Sequence, residues 1–247
     1  MSDFVHTELK DAILKITLNR PEKYNSFVRE MALALQEQLK VAREDPGVRC
    51  IYLTGNGKAF CAGQDLQEAI DPKGPELTKI VSEHYNPVIK QLRELEKPVV
   101  AAVNGVAAGA GANIALAADV VVAAQSASFI QAFSKIGLIP DSGGTYTLPR
   151  LVGYQKASAL MMLGDKVSAE EAEKMGMIYK VFADDVFEEE SMKIASILSN
   201  MPTKALAYTK QLLNQSALNT LDAQLKAEDH YQTLAGKSYD YEEGVNA

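Results

Sequence analysis

The chain has little cysteine, no basic stripe and no uninterrupted apolar run, and each scarcity removes a class of function. Cys50 and Cys61 are the only cysteines among 247 residues. They are too few for a disulfide framework and sit at no metal-ligand spacing, which points to a reducing cytoplasm and to no metal site. The three histidines, His6, His84 and His230, are isolated from one another. None has a partner at triad or ligand spacing, so each reads as an exposed or satisfied side chain. Lys and Arg number 25 against 32 Asp and Glu, for a net charge of −7. The cations are scattered singly, so no surface neutralises nucleic-acid phosphates and nucleic acid is excluded as a main partner. Met1-Ser2-Asp3-Phe4 is not a charged-then-apolar leader, so no export signal is visible. The apolar run from Val99 to Ala124 is interrupted by Asn104, Asn113 and Asp119, and so lacks the roughly 18 clean residues that a membrane span needs. No Pro/Gly/Ser-rich linker divides the chain, and 47% hydrophobic residues suffice for one large core or two small ones.

What is present is a repeating order of strand, turn and helix. Ala12, Leu14, Ile16 and Leu18 alternate with Lys15, Thr17 and Asn19, the period of a half-buried strand ending at Asn19-Arg20-Pro21. Ser26 is expected to cap a helix with Met31, Leu35 and Leu39 on one face, stopped by Asp45-Pro46-Gly47. Val48 to Leu53 reads as a strand, Ile80 to Leu95 as a helix, and Val99 to Val103 as the next strand. Beyond about Pro149 the strand signals fade. Ser168 with Glu171 forms a capping box, and amphipathic helices are predicted over Phe187 to Asn200, Thr203 to Ser216 and Leu221 to Ala235. The last residues, Tyr241 to Ala247, read as the start of a further element without its end.

Two turns carry the chemistry: Phe60-Cys61-Ala62-Gly63-Gln64-Asp65-Leu66, and Asn104 to Asn113 with Gly109-Ala110-Gly111 at its centre. Each is an apolar strand that breaks at glycine and enters a helix. Such an entry leaves backbone N–H groups unpaired and lets a ligand approach the main chain. Alone, either turn is ordinary punctuation between a strand and a helix. Converging, the two would form an oxyanion hole.

These turns, together with Leu18-Asn19-Arg20-Pro21 and the stretch Gly137 to Thr145, resemble the crotonase, or enoyl-CoA hydratase/isomerase, superfamily. The likeness spans essentially the whole chain. It implies an α/β fold, a crotonase-like spiral of β-β-α units over residues 1–190, with a helical C-terminal trimerisation region over 191–247. It also implies an acyl-CoA substrate in a homotrimer or dimer of trimers, no membrane association, and no cofactor beyond the CoA that the substrate carries. By the family's motif the oxyanion donors are the N–H groups of Gln64 and Ala110. Ala62, Gly63, Asp65, Leu66, Asn113 and Phe133 then border the substrate. The Gln64 side chain has no role in this scheme and reads as solvated. Lys23 or Arg20, or lysines of a neighbouring subunit, would meet the CoA phosphates; read locally, Lys23 is a solvated surface charge.

Hydratases of the superfamily hold a water between two glutamates. Here those positions are Asn113 and Phe133, neither of which carries a proton at neutral pH, so water addition is disfavoured. Asp141 remains, where isomerases of the superfamily carry a catalytic carboxylate. Beside an apolar wall such as Phe133 its pKa would rise and it would gain strength as a base. The local alternative is an Asp that merely caps the turn Pro140-Asp141-Ser142-Gly143. Stretches such as Ala132 to Asp141 and Tyr85-Asn86-Pro87 are similar to the branch of the superfamily that isomerises ring-1,2-epoxyphenylacetyl-CoA to oxepin-CoA in phenylacetate catabolism. An enoyl-CoA double-bond isomerase would use the same site. A non-catalytic acyl-CoA binder or scaffold would have no need of Asp141.

Overall fold

The computed structural model describes residues 3–246. Met1 and Ser2 of the expected leaderless start, and Ala247 at the end of the tail, lie outside the described residues. The chain opens with an antiparallel hairpin, β1 (Val5–Lys10) and β2 (Ile13–Leu18). β1 gives no periodic signal because only Val5 of its six residues is buried. In α1 (Arg29–Glu44), Met31, Leu35 and Leu39 face the core as their spacing requires. Ser26, however, is not its cap. Phe27 is held in a parallel bridge to Gln64, so the chain stays extended up to Val28 at the N-cap. Glu68 Oε1 accepts the otherwise orphaned Arg29 N–H at 2.9 Å.

The middle of the chain repeats one theme. β3 (Cys50–Gly55) passes to β4 (Ala59–Cys61), then to α2 (Leu66–Ile70) and α3 (Leu77–Lys79). The helix expected over Ile80 to Leu95 is continuous but not uniform: a π-helical stretch, Ile80–Tyr85, runs directly into α4 (Asn86–Glu94). Pro87 lies in the first turn of α4, where its missing N–H disturbs helical bonding least. β5 (Val99–Val103), β6 (Val106–Ala108) and α5 (Ala110–Leu116) form the next unit. β7 (Val120–Ala124), β8 (Ser128–Ile130) and a 3-10 turn at Ala132–Ile136 form the third.

Strand order begins β1-β2-β3-β5-β7 in the larger sheet and β4-β6-β8 in the smaller, with parallel pairing from β2 to β7 in the first and from β4 to β8 in the second. Parallel neighbours require the chain to return to the same end each time. Each unit therefore crosses from the larger sheet to the smaller and comes back one strand further on. The result is the expected spiral of β-β-α units.

α6 (Gly144–Val152) and α7 (Tyr154–Leu163) follow, and then β9 (Lys166–Ser168), which closes the smaller sheet antiparallel to β8. The capping box of Ser168 and Glu171 opens α8 (Ala169–Lys174) as predicted, and β10 (Lys180–Phe182) joins the larger sheet beside β7. At three residues each, β9 and β10 are too short to show a period of two. α9 (Phe187–Asn200), α10 (Thr203–Ser216) and α11 (Leu221–Ala235) match the predicted helices, and α12 (Tyr239–Asn246) ends the described chain.

α9 packs against the larger sheet: Phe187, Ser191, Ala195 and Ser199 are buried, and Ser191 Oγ lies 2.7 Å from Tyr52 Oη of β3. By contrast, α11 and α12 bury no residue.

Candidate active site

The two glycine turns follow β4 and β6, which are adjacent parallel strands of the smaller sheet. Their ends therefore emerge side by side. Phe27 N–H donates to Gly63 C=O at 2.7 Å, and Asp65 N–H donates to Phe27 C=O at 2.9 Å. In a trans peptide the N–H points opposite to the carbonyl, so the Gln64 N–H is aimed away from Phe27. On the second turn Gly109 C=O accepts Asn113 N–H at 3.2 Å, which opens α5 and leaves Ala110 N–H beyond the helix start. Gly63 has φ +89°, and a Cβ there would lie 2.9 Å from Ala108 O and 3.5 Å from Ala110 N. Only glycine lets the two turns come this close.

In front of these N–H groups is a cavity of about 180 Å³. Ala62, Gly63, Gln64, Leu66, Ala110, Phe133 and Asp141 line it, with Tyr85, Leu77, Ile80, Ile136 and Leu138. A space of this size takes an acyl group rather than a whole acyl-CoA. Asp141 is the only carboxylate among the lining residues. Burial pushes its pKa above the ordinary value, while the Ser142 hydroxyl, donating to Oδ1 at 2.8 Å, works against that rise. Its side chain caps nothing, since the N-cap of α6 is Gly143 with no side-chain bond. The turn is built by main chain instead: Asp141 C=O accepts Gly144 N–H and Asn113 Nδ2–H, each at 2.9 Å.

The sequence profile of the family described as enoyl-CoA hydratase/isomerase matches residues 8–247. The chain belongs to the enoyl-CoA hydratase/isomerase family. It is 48% identical to the 1,2-epoxyphenylacetyl-CoA isomerase of Escherichia coli, over all of this chain and 95% of that one. It is 34% identical to the 2,3-dehydroadipyl-CoA hydratase of the same organism, over 95% of this chain and 91% of that one. The crystal structure of an enoyl-CoA hydratase from Mycobacterium smegmatis superposes with a TM-score of 0.93 at 28% identity, covering 100% of this chain and 96% of that one.

In this enoyl-CoA hydratase/isomerase, two residues expected to border the substrate lie elsewhere, and one of the cations expected to meet the CoA phosphates is already engaged. Asn113 is 2% exposed and does not line the cavity. It brackets Asp141 through Nδ2, and its Oδ1 accepts from Gln131 Nε2 at 2.8 Å. The bracket is tight, since a Cβ on Gly144 would lie 2.4 Å from Asn113 Nδ2. Asp65 accepts Gln67 N–H at the start of α2 and pairs with Arg20 at 3.0 Å. That pair, with an Arg20 bond to Ser26 C=O at 2.6 Å, commits Arg20 to the loop and leaves it unavailable for a phosphate. Lys23 is exposed and does not line the cavity, with Nζ 3.5 Å from Gln67 Oε1.

The Gln64 side chain is not solvated: Tyr85 Oη–H donates to its Oε1 at 2.9 Å, and its Nε2 donates to Glu68 Oε2 at 2.7 Å. His84 is neither exposed nor fully satisfied. It is buried with Nε2 at 3.1 Å from Arg29 and Nδ1 unpartnered, and burial lowers its pKa. Cys61 is a packing residue, its thiol pushed up to about 12 by burial. Sequence reasoning assigned no role to Tyr85. The one local signal is a tyrosine two residues before a proline within a helical stretch.

Proposed function

We propose that the chain is an acyl-CoA isomerase that converts ring-1,2-epoxyphenylacetyl-CoA to oxepin-CoA in aerobic phenylacetate catabolism. The observation that carries this reading is the single carboxylate, Asp141, in an apolar cavity fronted by two free backbone N–H groups. One carboxylate moves a proton, whereas water addition uses two. The 48% identity to the Escherichia coli isomerase supports the choice of acyl group.

In this mechanism Asp141 takes a proton from the carbon next to the thioester, and charge moves onto the thioester oxygen. The Gln64 and Ala110 N–H groups hold that oxygen, and fixed dipoles in a water-poor pocket do so with little reorganisation. The C–C bond shared by the epoxide and the six-membered ring breaks while both C–O bonds are kept. The enolate electron pair forms a double bond between the former α-carbon and the ring, and the displaced ring double-bond pair takes the proton back from Asp141 at a ring carbon. One proton leaves and one returns, so no oxidant, reductant or further cofactor is consumed. CoA enters with the substrate, and its phosphates meet Lys23 or a neighbouring subunit. The C-terminal residues 191–247 assemble three chains, or two such trimers, and the enzyme works in the cytoplasm.

The test is conversion of epoxyphenylacetyl-CoA, run beside 3-hexenoyl-CoA and α-proton exchange of phenylacetyl-CoA in deuterated water. Ring expansion is the expected result. Conversion of 3-hexenoyl-CoA alone would assign a double-bond isomerase. Tight acyl-CoA binding with neither turnover nor exchange would assign a non-catalytic binder.

A further inference from the structure

The reaction proposed above uses only the main chain of Gln64, yet its side chain is tied at both ends. Oε1 accepts from the Tyr85 hydroxyl at 2.9 Å, and Nε2 donates to Glu68 Oε2 at 2.7 Å. Glu68 in turn accepts the Arg29 N–H at the start of α1 with its other oxygen. Tyr85 is wholly buried, and its ring packs on Phe27 with centroids 5.8 Å apart. Phe27 is the residue whose main chain grips Gly63 and Asp65 on either side of Gln64. A closed circuit thus runs from the Phe27 ring through Tyr85 and the Gln64 amide to the Gln64 main chain and back to Phe27.

The direction of the Gln64 N–H depends on the tilt of the Gly63–Gln64 peptide plane about the line joining its two Cα atoms. Phe27 restrains that plane at the Gly63 carbonyl. Gly63 itself has no side chain and adds no restraint of its own. At the Gln64 Cα end the following peptide is held by the Asp65 N–H bond to Phe27 C=O, and the forked amide adds an anchor through the side chain. We propose that Tyr85 is a positioning residue which, through the Gln64 side chain, fixes the Gln64 main-chain N–H in the direction that meets the thioester oxygen. This rests on the oxyanion assignment made under the proposed function. Burial keeps the phenol protonated, so it donates a hydrogen bond and leaves the proton transfer to Asp141.

The primary measurement does not depend on turnover: the infrared stretch of phenylacetyl-CoA isotope-labelled at the thioester carbonyl, bound to the protein. Hydrogen bonding from aligned N–H groups lowers that frequency. Tyr85→Phe keeps the ring and removes only the hydroxyl, and it is expected to lose a large part of the shift. In kinetics, Tyr85→Phe and Gln64→Met should each lower kcat by about 10–100-fold, with KM nearly unchanged and the acid limb of the pH profile left in place.

Because both variants break one device, the Y85F/Q64M combination should be no worse than either alone. Gln64→Glu sets a carboxylate against Glu68 and should also lose activity. Adding Glu68→Gln restores the same bonds with reversed polarity and should recover most of it. A Tyr85→Phe protein with the wild-type carbonyl shift and kcat, or additive losses in the combination, overturns the inference. A wild-type shift without turnover would sink the isomerase reading and leave the positioning role standing. Wild-type protein that binds the ligand with no shift would overturn the oxyanion assignment and this inference together.

Discussion

Asp141 is placed where its charge costs stability and serves chemistry. Burial raises its pKa in the folded chain, so the folded state binds the proton more tightly than the unfolded one. Its contribution to stability is therefore complete below the ordinary Asp value of about 4 and is lost as pH rises through the raised folded value. Asp141→Asn removes that loss while keeping much of the turn's shape. The expected outcome is a higher Tm than wild type at neutral pH, with the difference closing on acidification, read from melts across pH. The same substitution should lower kcat for epoxyphenylacetyl-CoA by about 10²–10⁴, the range of general acid–base groups. Wild-type turnover would assign the proton to another group. Asn113 takes the opposite part. Its amide is consumed in holding the Asp141 main chain.

At the scale of elements, the proposed reaction needs the two turns to arrive together, and α5 is the more exacting. Ala110 is 3% exposed, so its methyl leaves little room between the cavity and its own N–H. Ala110→Val should obstruct the thioester at that N–H and reduce kcat by about 10²–10³, the cost of losing one oxyanion donor, with a much smaller change in Tm. A variant with full turnover would remove Ala110 from the site.

The docking of α10 makes a separate prediction. Lys210 is 6% exposed and reaches Asp119 Oδ2 at 2.8 Å, where the same oxygen accepts Val99 N–H at the head of β5. Burial lowers the Lys210 pKa, and the Asp119 carboxylate opposes that shift. Lys210→Met leaves Asp119 without its cation and should cost about 3–5 kcal/mol in denaturant unfolding. Combining it with Asp119→Asn should recover a large part, because no unpaired charge remains. A single variant as stable as wild type would mean that the pair contributes nothing.

For the whole molecule, the question is what covers the C-terminal helices. Leu213, Leu218, Leu221 and Leu225 are 65%, 81%, 72% and 52% exposed on α10, α11 and the turn between them. Large apolar side chains left this exposed support the assembly proposed above. The expected assembly is a trimer or a pair of trimers by light scattering at micromolar concentration. A monomer there would remove the assembly from the proposal.

The order of strand, turn and helix, the capping box at Ser168 and the helices beyond Phe187 were legible in the sequence. Periodicity and capping are local, and they report which face of an element is buried whatever it is buried against. The glycine turns were legible for a related reason, since an unobstructed backbone is a property of a few consecutive residues. The adjacency of β4 and β6, which sets Gln64 N–H beside Ala110 N–H, was decided only by the tertiary structure. So were the roles of Asn113, bonded to residues 18 and 28 positions away, and of Tyr85, bonded 21 positions away. Strand order selects such partners, because a side chain's spacing states its direction but not what meets it.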